Sequence, residues 1–199
     1  KILRWQTVSA TGLPNYALLS RTDQVPVDGG VSSFIPSVLG IDPGLSLTGY
    51  AVLSVSNRLA RVLEAGVIKT TRKRSLGDRL VEIRDGIEEI LVQYKPIALG
   101  MEQLFSHYKH PRTAIAMGHA RGVLMEAAAR RGLEIVSIAP KQAKKTITGS
   151  GSADKMQMQR AMLVELGLNQ MPDPPDVADA LAIALCLYHQ RMNTQEEIS

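Results

Sequence analysis

The chain has 199 residues, 45% of them hydrophobic, which is enough to bury the core of one globular domain. Its single cysteine, Cys186, excludes an internal disulfide framework and a Cys-rich zinc site, and no apolar run approaches the roughly 18 residues of a membrane helix. The formal net charge of +4 is mildly basic, so nucleic acid is an admissible class of partner.

Residues 1–37 differ in composition from the remainder of the chain. They are rich in Pro, Gly, Ser and Thr and show no sustained hydrophobic period. We therefore predict a flexible N-terminal extension over 1–37, a folded domain over 38–190 and a polar C-terminal tail over 191–199.

The first folded unit is predicted at residues 38–55, where two apolar runs flank a turn built from Pro43 and Gly44. Asp42 ends the first run, and a carboxylate suits either of two roles there. It could accept hydrogen bonds from nearby backbone N–H groups, as in an ordinary turn, or it could be a metal ligand held by a rigid strand. This stretch alone leaves both roles open.

A third strand is predicted at 59–69, in an antiparallel meander with the first two. The segment after it, 70–74, is Thr-Thr-Arg-Lys-Arg, a basic loop that is either simply solvated or in contact with DNA. Ser75 is then predicted to cap a helix, with Asp78 as its capping-box partner. Apolar residues at helical spacing form the predicted buried face of this helix: Leu76, Leu80, Ile83, Ile87 and Ile90.

Strands and helices alternate in the middle of the chain. The apolar run 97–101 predicts a fourth strand, with Glu102 directly after it. A helix rich in Ala and Gly is predicted at 113–131 and a fifth strand at 133–138; the small side chains suit close packing against the sheet or against a partner subunit. Strand–helix–strand segments that follow a meander indicate a mixed sheet covered by helices.

Two further helices are predicted in the last third of the chain. A Gly/Ser-rich turn ends at Ser152, which we expect to cap the first of them. Asp173 is the predicted N-cap of the second, alanine-rich helix, with Pro174 at its first position. Three lysines flank the Gly/Ser turn and are able to bind phosphate or to stabilise transition-state charge: Lys144, Lys145 and Lys155.

Four acidic residues stand out by their positions. Asp42 and Glu102 each follow a predicted buried strand, and Asp176 and Asp179 share one face of the last helix. The helix macrodipole alone accounts for Asp176, but two like charges three residues apart repel unless a cation lies between them. Converging carboxylates suit hard cations such as Mg²⁺ or Mn²⁺, and two such ions support phosphodiester hydrolysis.

On these residues, the chain resembles the RuvC family of bacterial Holliday-junction resolvases, within the RNase H-like nuclease superfamily. The motifs that carry the resemblance follow one another in order from about residue 38 to about residue 188. They are Gly-Ile-Asp-Pro-Gly at 40–44, Thr-Gly-Tyr at 48–50, Met-Glu-Gln-Leu-Phe at 101–105, Gly-His-Ala-Arg-Gly at 118–122, Lys144, Gly-Ser-Gly-Ser-Ala-Asp-Lys at 149–155 and Asp-Val-Ala-Asp-Ala-Leu-Ala at 176–182. The extension 1–37 has no counterpart in the family pattern.

The resemblance implies roles for seven residues. Phe105 matches an aromatic residue that the family uses on bases at the junction crossover, and Lys144 and Lys155 match lysines needed for DNA binding or cleavage. Lys145 has no role assigned by the resemblance. The acids match the family's catalytic, metal-binding carboxylates: Asp42, Glu102, Asp176 and Asp179.

The resemblance also implies a fold and an activity. The fold would be a five-stranded mixed sheet with helices on both faces. The activity would be that of a crossover junction endodeoxyribonuclease, which resolves four-way DNA junctions by paired symmetric nicks in recombination and repair. Two Mg²⁺ ions per subunit are implied, with Mn²⁺ able to substitute. The implied partners are a second copy of the chain and the branch-migration proteins RuvA and RuvB, in the cytoplasm and away from membranes.

Two other classes of protein stay open on the sequence alone. Actin-like ATPases and sugar kinases also place an acid and a Gly/Thr turn in a first hairpin, and residues 42–49 fit that pattern loosely. Those proteins need two such domains, whereas this chain has the length for one. The other alternative is a nucleic-acid-binding module that has lost catalysis, against which all four acids are present.

Overall fold

The computed structural model describes residues 1–5, 36–55, 60–103 and 111–196. Six strands form one sheet: β1 Ile2–Trp5, β2 Ser37–Asp42, β3 Leu47–Ser54, β4 Arg61–Lys69, β5 Ala98–Glu102 and β6 Glu134–Ile138. Their order is β1-β4-β3-β2-β5-β6. β2, β5 and β6 are parallel, and β3 is antiparallel to its neighbours β2 and β4. The chain therefore leaves β2, β4, β5 and β6 at the same end, which we call the carboxyl end of the sheet.

The predicted mixed sheet with flanking helices is confirmed, but it has six strands rather than the predicted five. The additional strand, β1, opens the segment predicted to be a flexible extension. It pairs antiparallel with β4, from Ile2 opposite Ile68 to Trp5 opposite Ala65, and Trp5 is buried. Four residues are too few to show a strand period, so this pairing depends on the partner strand. Residues 6–35 lie outside the described residues, and the domain bounds remain predictions.

Helices cover both faces of the sheet. On one face lie α1 Leu76–Tyr94 and α2 Pro111–Ala129; on the other lies α5 Pro175–Glu196, with α3 Pro140–Thr148 and α4 Lys155–Glu165 beside it. Alternate strand residues consequently point into two separate hydrophobic cores. No helix in the described part of the chain is long and apolar enough to cross a membrane.

The helix predicted after Ser75 is confirmed, with one correction on its buried face. The Ser75 hydroxyl accepts a hydrogen bond from the Asp78 backbone N–H at 3.2 Å, as an N-cap residue does. Leu76, at the first helical position, is exposed rather than buried. Three of the predicted apolar residues are fully buried: Ile83, Ile87 and Ile90.

The segment after β6 differs from its prediction in two ways. Helix α3 was not predicted, because it is short and only two residues, Ala143 and Ile147, form its buried face. The cap of α4 is Asp154 and not Ser152. The Asp154 carboxylate accepts from the Gln157 backbone N–H at 2.9 Å, and the Gln157 amide oxygen accepts from the Asp154 backbone N–H at 2.9 Å. This reciprocal capping box satisfies two helix-end donors, whereas a serine cap alone satisfies one.

Helix α5 differs from its prediction at both ends. It begins at Pro175 rather than Pro174, so Asp173 lies outside the helix and is not its N-cap. It also continues to Glu196, well into the segment 191–199 predicted to be a polar tail. The helix continues beyond residue 190 because Arg191 pairs with Glu134 of β6 and Met192 packs against the core.

The α5 backbone rests directly on β2 at Gly40. A Cβ atom added to Gly40 would lie 2.3 Å from the Ala184 nitrogen and 2.4 Å from the Ala180 carbonyl oxygen. Both alanines are fully buried. The absence of a side chain on the strand and the small side chains on the helix therefore set the distance between helix and sheet.

We predict that Gly40→Ala lowers the free energy of unfolding by about 1–3 kcal/mol or more, because its Cβ would displace helix backbone rather than a flexible side chain. Urea denaturation followed by circular dichroism measures this change. The matched control is Gly77→Ala, since a Cβ there meets nothing closer than 3.9 Å. Because Gly77 lies in the first turn of α1, the control should raise stability by no more than about 0.5–1 kcal/mol. Wild-type stability of Gly40→Ala would contradict the close packing.

Candidate active site

Asp42 and Glu102 lie in neighbouring positions at the carboxyl end of the sheet. They are the last residues of the parallel strands β2 and β5, whose register pairs Ile41 with Met101. Because side chains alternate along a strand, Asp42 shares its side of the sheet with Gly40, which contacts α5. By the same alternation, Glu102 also projects toward the face that α5 covers.

The beginning of α5 brings two further acids to this place. Gly49 pairs with Asp42 across the β2–β3 hairpin, and a Cβ on Gly49 would lie 2.0 Å from the Asp176 carbonyl oxygen. Asp179 follows three residues later, and its charge acts on the carboxyl groups of Asp42 and Glu102. The structure thus brings the four predicted acids together, while their catalytic and metal-binding roles stay predictions.

The clustering of these acids disfavours their ionised forms. Burial, followed by the charges of Asp179, Glu102 and Asp176, raises the pKa of Asp42 to about 8. Burial and the charge of Asp179 raise the pKa of Glu102, which the positive charge of Arg121 partly offsets. Although its side chain is partly exposed, desolvation and the charge of Asp176 raise the pKa of Asp179. A cation bound among these acids would therefore favour their ionised forms.

The donor set fits a hard divalent cation by its chemistry. All four groups are carboxylates, and hard cations such as Mg²⁺ prefer oxygen ligands. Within the described ranges, however, no group of three or more His, Cys, Asp or Glu side chains is arranged closely enough to hold an ion. The carboxylates are therefore near enough to repel one another, but they do not form a closed ligand shell.

The turn that follows Asp42 is fixed by side chains from two elements. Thr48 is fully buried, and its hydroxyl donates to the Gly44 carbonyl oxygen at 2.7 Å. Arg79 of α1 donates from Nη2 to the Leu45 carbonyl oxygen at 3.1 Å and to the Ser46 hydroxyl at 2.9 Å. These bonds restrict the chain on both sides of the turn, so the Asp42 backbone is held in place.

Arg121 of α2 supports Glu102, a contact that the sequence did not predict. Its Nη1 donates to the Glu102 carbonyl oxygen at 2.5 Å and its Nη2 to the Ser137 hydroxyl at 2.9 Å. One guanidinium group therefore holds the ends of β5 and β6 together beside the acids. The motif at 118–122 contains Arg121, but a bond to a backbone carbonyl leaves no spacing pattern that would reveal its target.

The predicted DNA-binding residues occupy different places. Lys155 begins α4, and its positive charge acts on Asp179, which places it beside the acids. Lys144 is half-buried in α3 and Lys145 is exposed; neither side chain pairs with an acid in the described part of the chain. Phe105 lies outside the described residues, so its role stays a prediction.

Comparison with known proteins agrees with this arrangement. The family model described as "Crossover junction endodeoxyribonuclease RuvC" matches residues 38–187. A curated relative of that name from Rhodopirellula baltica is 48% identical over 156 residues, which are 78% of this chain and 88% of the relative. One from Heliobacterium modesticaldum is 40% identical over 152 residues, or 76% of this chain and 93% of the relative.

Solved structures of related proteins resemble this fold as well. Thermus thermophilus RuvC in complex with a Holliday junction substrate is 34% identical, with a TM-score of 0.74, over 80% of this chain and 97% of that chain. The yeast mitochondrial Holliday junction resolvase is 16% identical, with a TM-score of 0.59, over 83% of each chain, and this likeness supports the fold alone. By its family-model match and its identity to these relatives, the chain belongs to the RuvC family of crossover junction endodeoxyribonucleases.

Proposed function

We propose that this chain is a structure-selective endonuclease that resolves four-way DNA junctions by paired symmetric nicks, in recombination and repair. The observation that carries the proposal is the convergence of four carboxylates from β2, β5 and α5 at the carboxyl end of the sheet. The T. thermophilus relative in complex with a Holliday junction supports this substrate class. The actin-like alternative is not favoured, because the family match spans residues 38–187.

The four acids are the groups proposed to hold the metal: Asp42, Glu102, Asp176 and Asp179. We propose two Mg²⁺ ions per subunit, with Mn²⁺ able to replace them. Carboxylate oxygens suit hard cations of this kind, and a pair of ions is the arrangement that supports phosphodiester hydrolysis. Bound ions of this kind would activate the attacking water and take up charge on the leaving 3′ oxygen.

Other residues of the chain would bind and orient the DNA backbone. We propose that Lys155, whose charge acts on Asp179, and Lys144 of α3 contact phosphates near the acids. Arg121 holds the end of β5 and would keep Glu102 in a constant orientation while substrate binds. Phe105 follows Glu102 by three residues, and we propose that it stacks on a base unstacked at the crossover.

We further propose that the protein works in the cytoplasm with the branch-migration proteins RuvA and RuvB. The support is the family to which the chain belongs, because membership of this family implies these partners. Addition of purified RuvA and RuvB to a junction should then raise the rate of resolution by this protein. No change in that rate would contradict the partnership while leaving the nuclease activity unaffected.

We predict that Asp42→Asn and Glu102→Gln each reduce the rate of junction cleavage by about 10² to 10⁴, because each removes an electrostatic contribution to the transition state. Junction affinity should stay close to wild type, since phosphate contacts dominate it. The assay compares nicking of a synthetic four-way junction, a linear duplex and an RNA–DNA hybrid, with Mg²⁺ and with EDTA.

The matched control for this assay is Asp85→Asn, which neutralises an exposed acid on α1 and should leave cleavage unchanged. Paired nicks confined to the junction and dependent on metal support the resolvase. Metal-dependent cleavage of the hybrid would point instead to a ribonuclease, and junction binding without any nicking would point to a non-catalytic module. Near-native turnover in either acid variant would refute the metal-site assignment.

We predict that the metal-free protein loses stability as the pH rises from about 4 to about 8. The raised pKa of Asp42 means that the folded protein keeps a proton which the unfolded chain releases near pH 3.9. Between these values the unfolded state binds fewer protons, so the free energy of unfolding falls by up to about 1.4 kcal/mol per pH unit for this group. Urea denaturation in EDTA from pH 4 to 9 measures the slope.

Asp42→Asn should flatten that slope, whereas Asp85→Asn should not. Because metal ligands must be deprotonated, the affinity for Mg²⁺ should rise over the same pH range and binding should release protons. Isothermal titration in two buffers of different ionisation enthalpy reports the released protons. An unchanged slope in Asp42→Asn, or metal binding without proton release at pH 7, would contradict the raised pKa of Asp42.

We predict that the protein is a two-fold dimer of about 43 kDa, twice the 21.6 kDa of the chain, by sedimentation equilibrium. One subunit carries one acid cluster, whereas resolution needs two strands cut at symmetric points.

Helix α2 is the candidate interface, since Ile115 is 61% exposed and Met125 is 37% exposed on it. Ile115→Gln should weaken the dimer, while Val164→Gln, an exposed apolar residue on α4, should not. A monomer that makes paired nicks would contradict the dimer.

A further inference from the structure

A cationic loop lies at the same end of the sheet as the acids. β4 runs in the same direction as β2 and β5, so it also ends at the carboxyl end of the sheet. The chain leaves β4 at Lys69 and continues through residues 70–74, Thr-Thr-Arg-Lys-Arg, to the cap of α1. We call residues 69–74 the basic loop. The sequence alone did not decide whether this loop is simply solvated or contacts DNA.

One side of the basic loop is bound to α1. The Glu82 carboxylate accepts from the Thr71 backbone N–H at 2.7 Å and from the Thr71 hydroxyl at 3.0 Å. It also accepts from Arg74 Nη1 at 3.1 Å. These bonds lower the pKa of Glu82, so the carboxylate stays ionised and keeps the loop in place at neutral pH.

The other side of the basic loop is bound to the turn that follows Asp42. The Thr70 backbone N–H donates to the Ser46 carbonyl oxygen at 3.1 Å, and the Thr70 hydroxyl donates to the Leu45 carbonyl oxygen at 2.7 Å. Arg79 bonds to Thr70 as well as to that turn. The basic loop and the turn beside the active site therefore form one hydrogen-bonded unit.

Three cations of the basic loop are left unneutralised. Lys69, Arg72 and Lys73 are exposed, and none of these side chains pairs with an acid among the residues that the structure describes. Arg74 differs, because it is partly neutralised by Glu82. A fixed loop that carries free cations loses little conformational entropy on binding, which suits it to a polyanion.

The position of the loop determines which part of the DNA it can reach. β4 is two strands from β2 and three from β5, which corresponds to about 10–14 Å at the usual strand spacing. At a rise of about 3.4 Å per nucleotide, this distance spans three or four nucleotides of one strand. On the opposite side of the acids, β6 leads into α3 with Lys141, Lys144 and Lys145. Cations thus flank the acid cluster on both sides.

We propose that the basic loop is a second DNA-backbone site, in which Lys69, Arg72 and Lys73 bind phosphates three or four nucleotides from the scissile phosphate. The proposal rests on the proposed nuclease function. The proposed contact lies on the other side of the acid cluster from the lysines of α3 and α4. The strand to be cut would then be held on both sides of the carboxylates.

The first experiment measures junction affinity against salt concentration in EDTA for the double variant Arg72→Gln/Lys73→Gln. Each lost phosphate contact should reduce the slope of log affinity against log salt by about 0.9, so we expect a decrease of about 1.8. The matched control is Arg61→Gln/Lys95→Asn, which removes two exposed cations from the opposite end of the sheet. The control should keep the wild-type slope, and both variants should keep the wild-type midpoint of thermal unfolding.

The second experiment locates the contact. After the cleavage position is mapped with wild-type protein and Mg²⁺, single methylphosphonates replace phosphates one to six nucleotides to either side. A neutral linkage three or four nucleotides away on one side should weaken binding by wild type but not by Arg72→Gln/Lys73→Gln. The proposal is overturned if the double variant keeps the wild-type salt slope, or if the control variant loses as much slope as the double variant. It is also overturned if every methylphosphonate weakens binding by the variant and by wild type equally.

Different results would contradict the proposed nuclease function and the proposed basic-loop site. If wild-type protein does not nick a four-way junction with Mg²⁺, the proposed function fails. If wild-type protein nicks the junction and the double variant binds with the wild-type slope, only the basic-loop site fails.

Discussion

The contact between the α5 backbone and the sheet is the constraint on which this structure depends. At Gly40 and at Gly49, helix backbone occupies the space where a side chain would stand. The first contact sets the distance of the helix from the sheet, and the second places the carbonyl of Asp176 against the residue paired with Asp42. The same packing therefore builds the core and assembles the acids. A change that lifts α5 must disturb stability and the site together, since both use one interface.

The acid cluster lowers the stability that the contact between α5 and the sheet provides. Four carboxylates share one end of the sheet, and the pKa of Asp42 rises to about 8 because burial and its neighbours disfavour the charge. Positive groups offset only part of this repulsion: Arg121 acts on Glu102, and Lys155 acts on Asp179. A fold retains such a cluster only when the remaining packing is strong enough to tolerate it, which is typical of functional sites. A cation bound among these acids would convert the repulsion into attraction and would thereby couple ion binding to folding.

The sequence predicted the parts of the site that local patterns encode. Asp42 and Glu102 were recognisable because each is a single charge after an apolar strand, and parallel strands bring such ends together. Long-range contacts were not predictable in this way. Arg121 bonds to a main-chain oxygen, which any residue at position 102 would supply, and β1 is too short for its alternation to be distinctive. At the start of α4, Ser152 has the composition of a cap, but only Asp154 is followed three residues later by a glutamine, Gln157, that completes a capping box.

The strand β1 shows why a terminal segment outside the family match can still belong to the folded domain. The side chain of Glu64 of β4 is only 9% exposed, and a carboxylate so withdrawn from water must be hydrogen-bonded or paired. It accepts from the Tyr50 hydroxyl at 2.7 Å and the Tyr94 hydroxyl at 2.6 Å, and Arg4 of β1 donates to it from Nε at 3.0 Å. Among the described residues, Arg4 is the only cation that bonds to this carboxylate. The extension therefore supplies the charge that a core acid needs. It does so on the far side of β4 from the acids, where β1 forms the edge of the sheet without obstructing the carboxylate cluster.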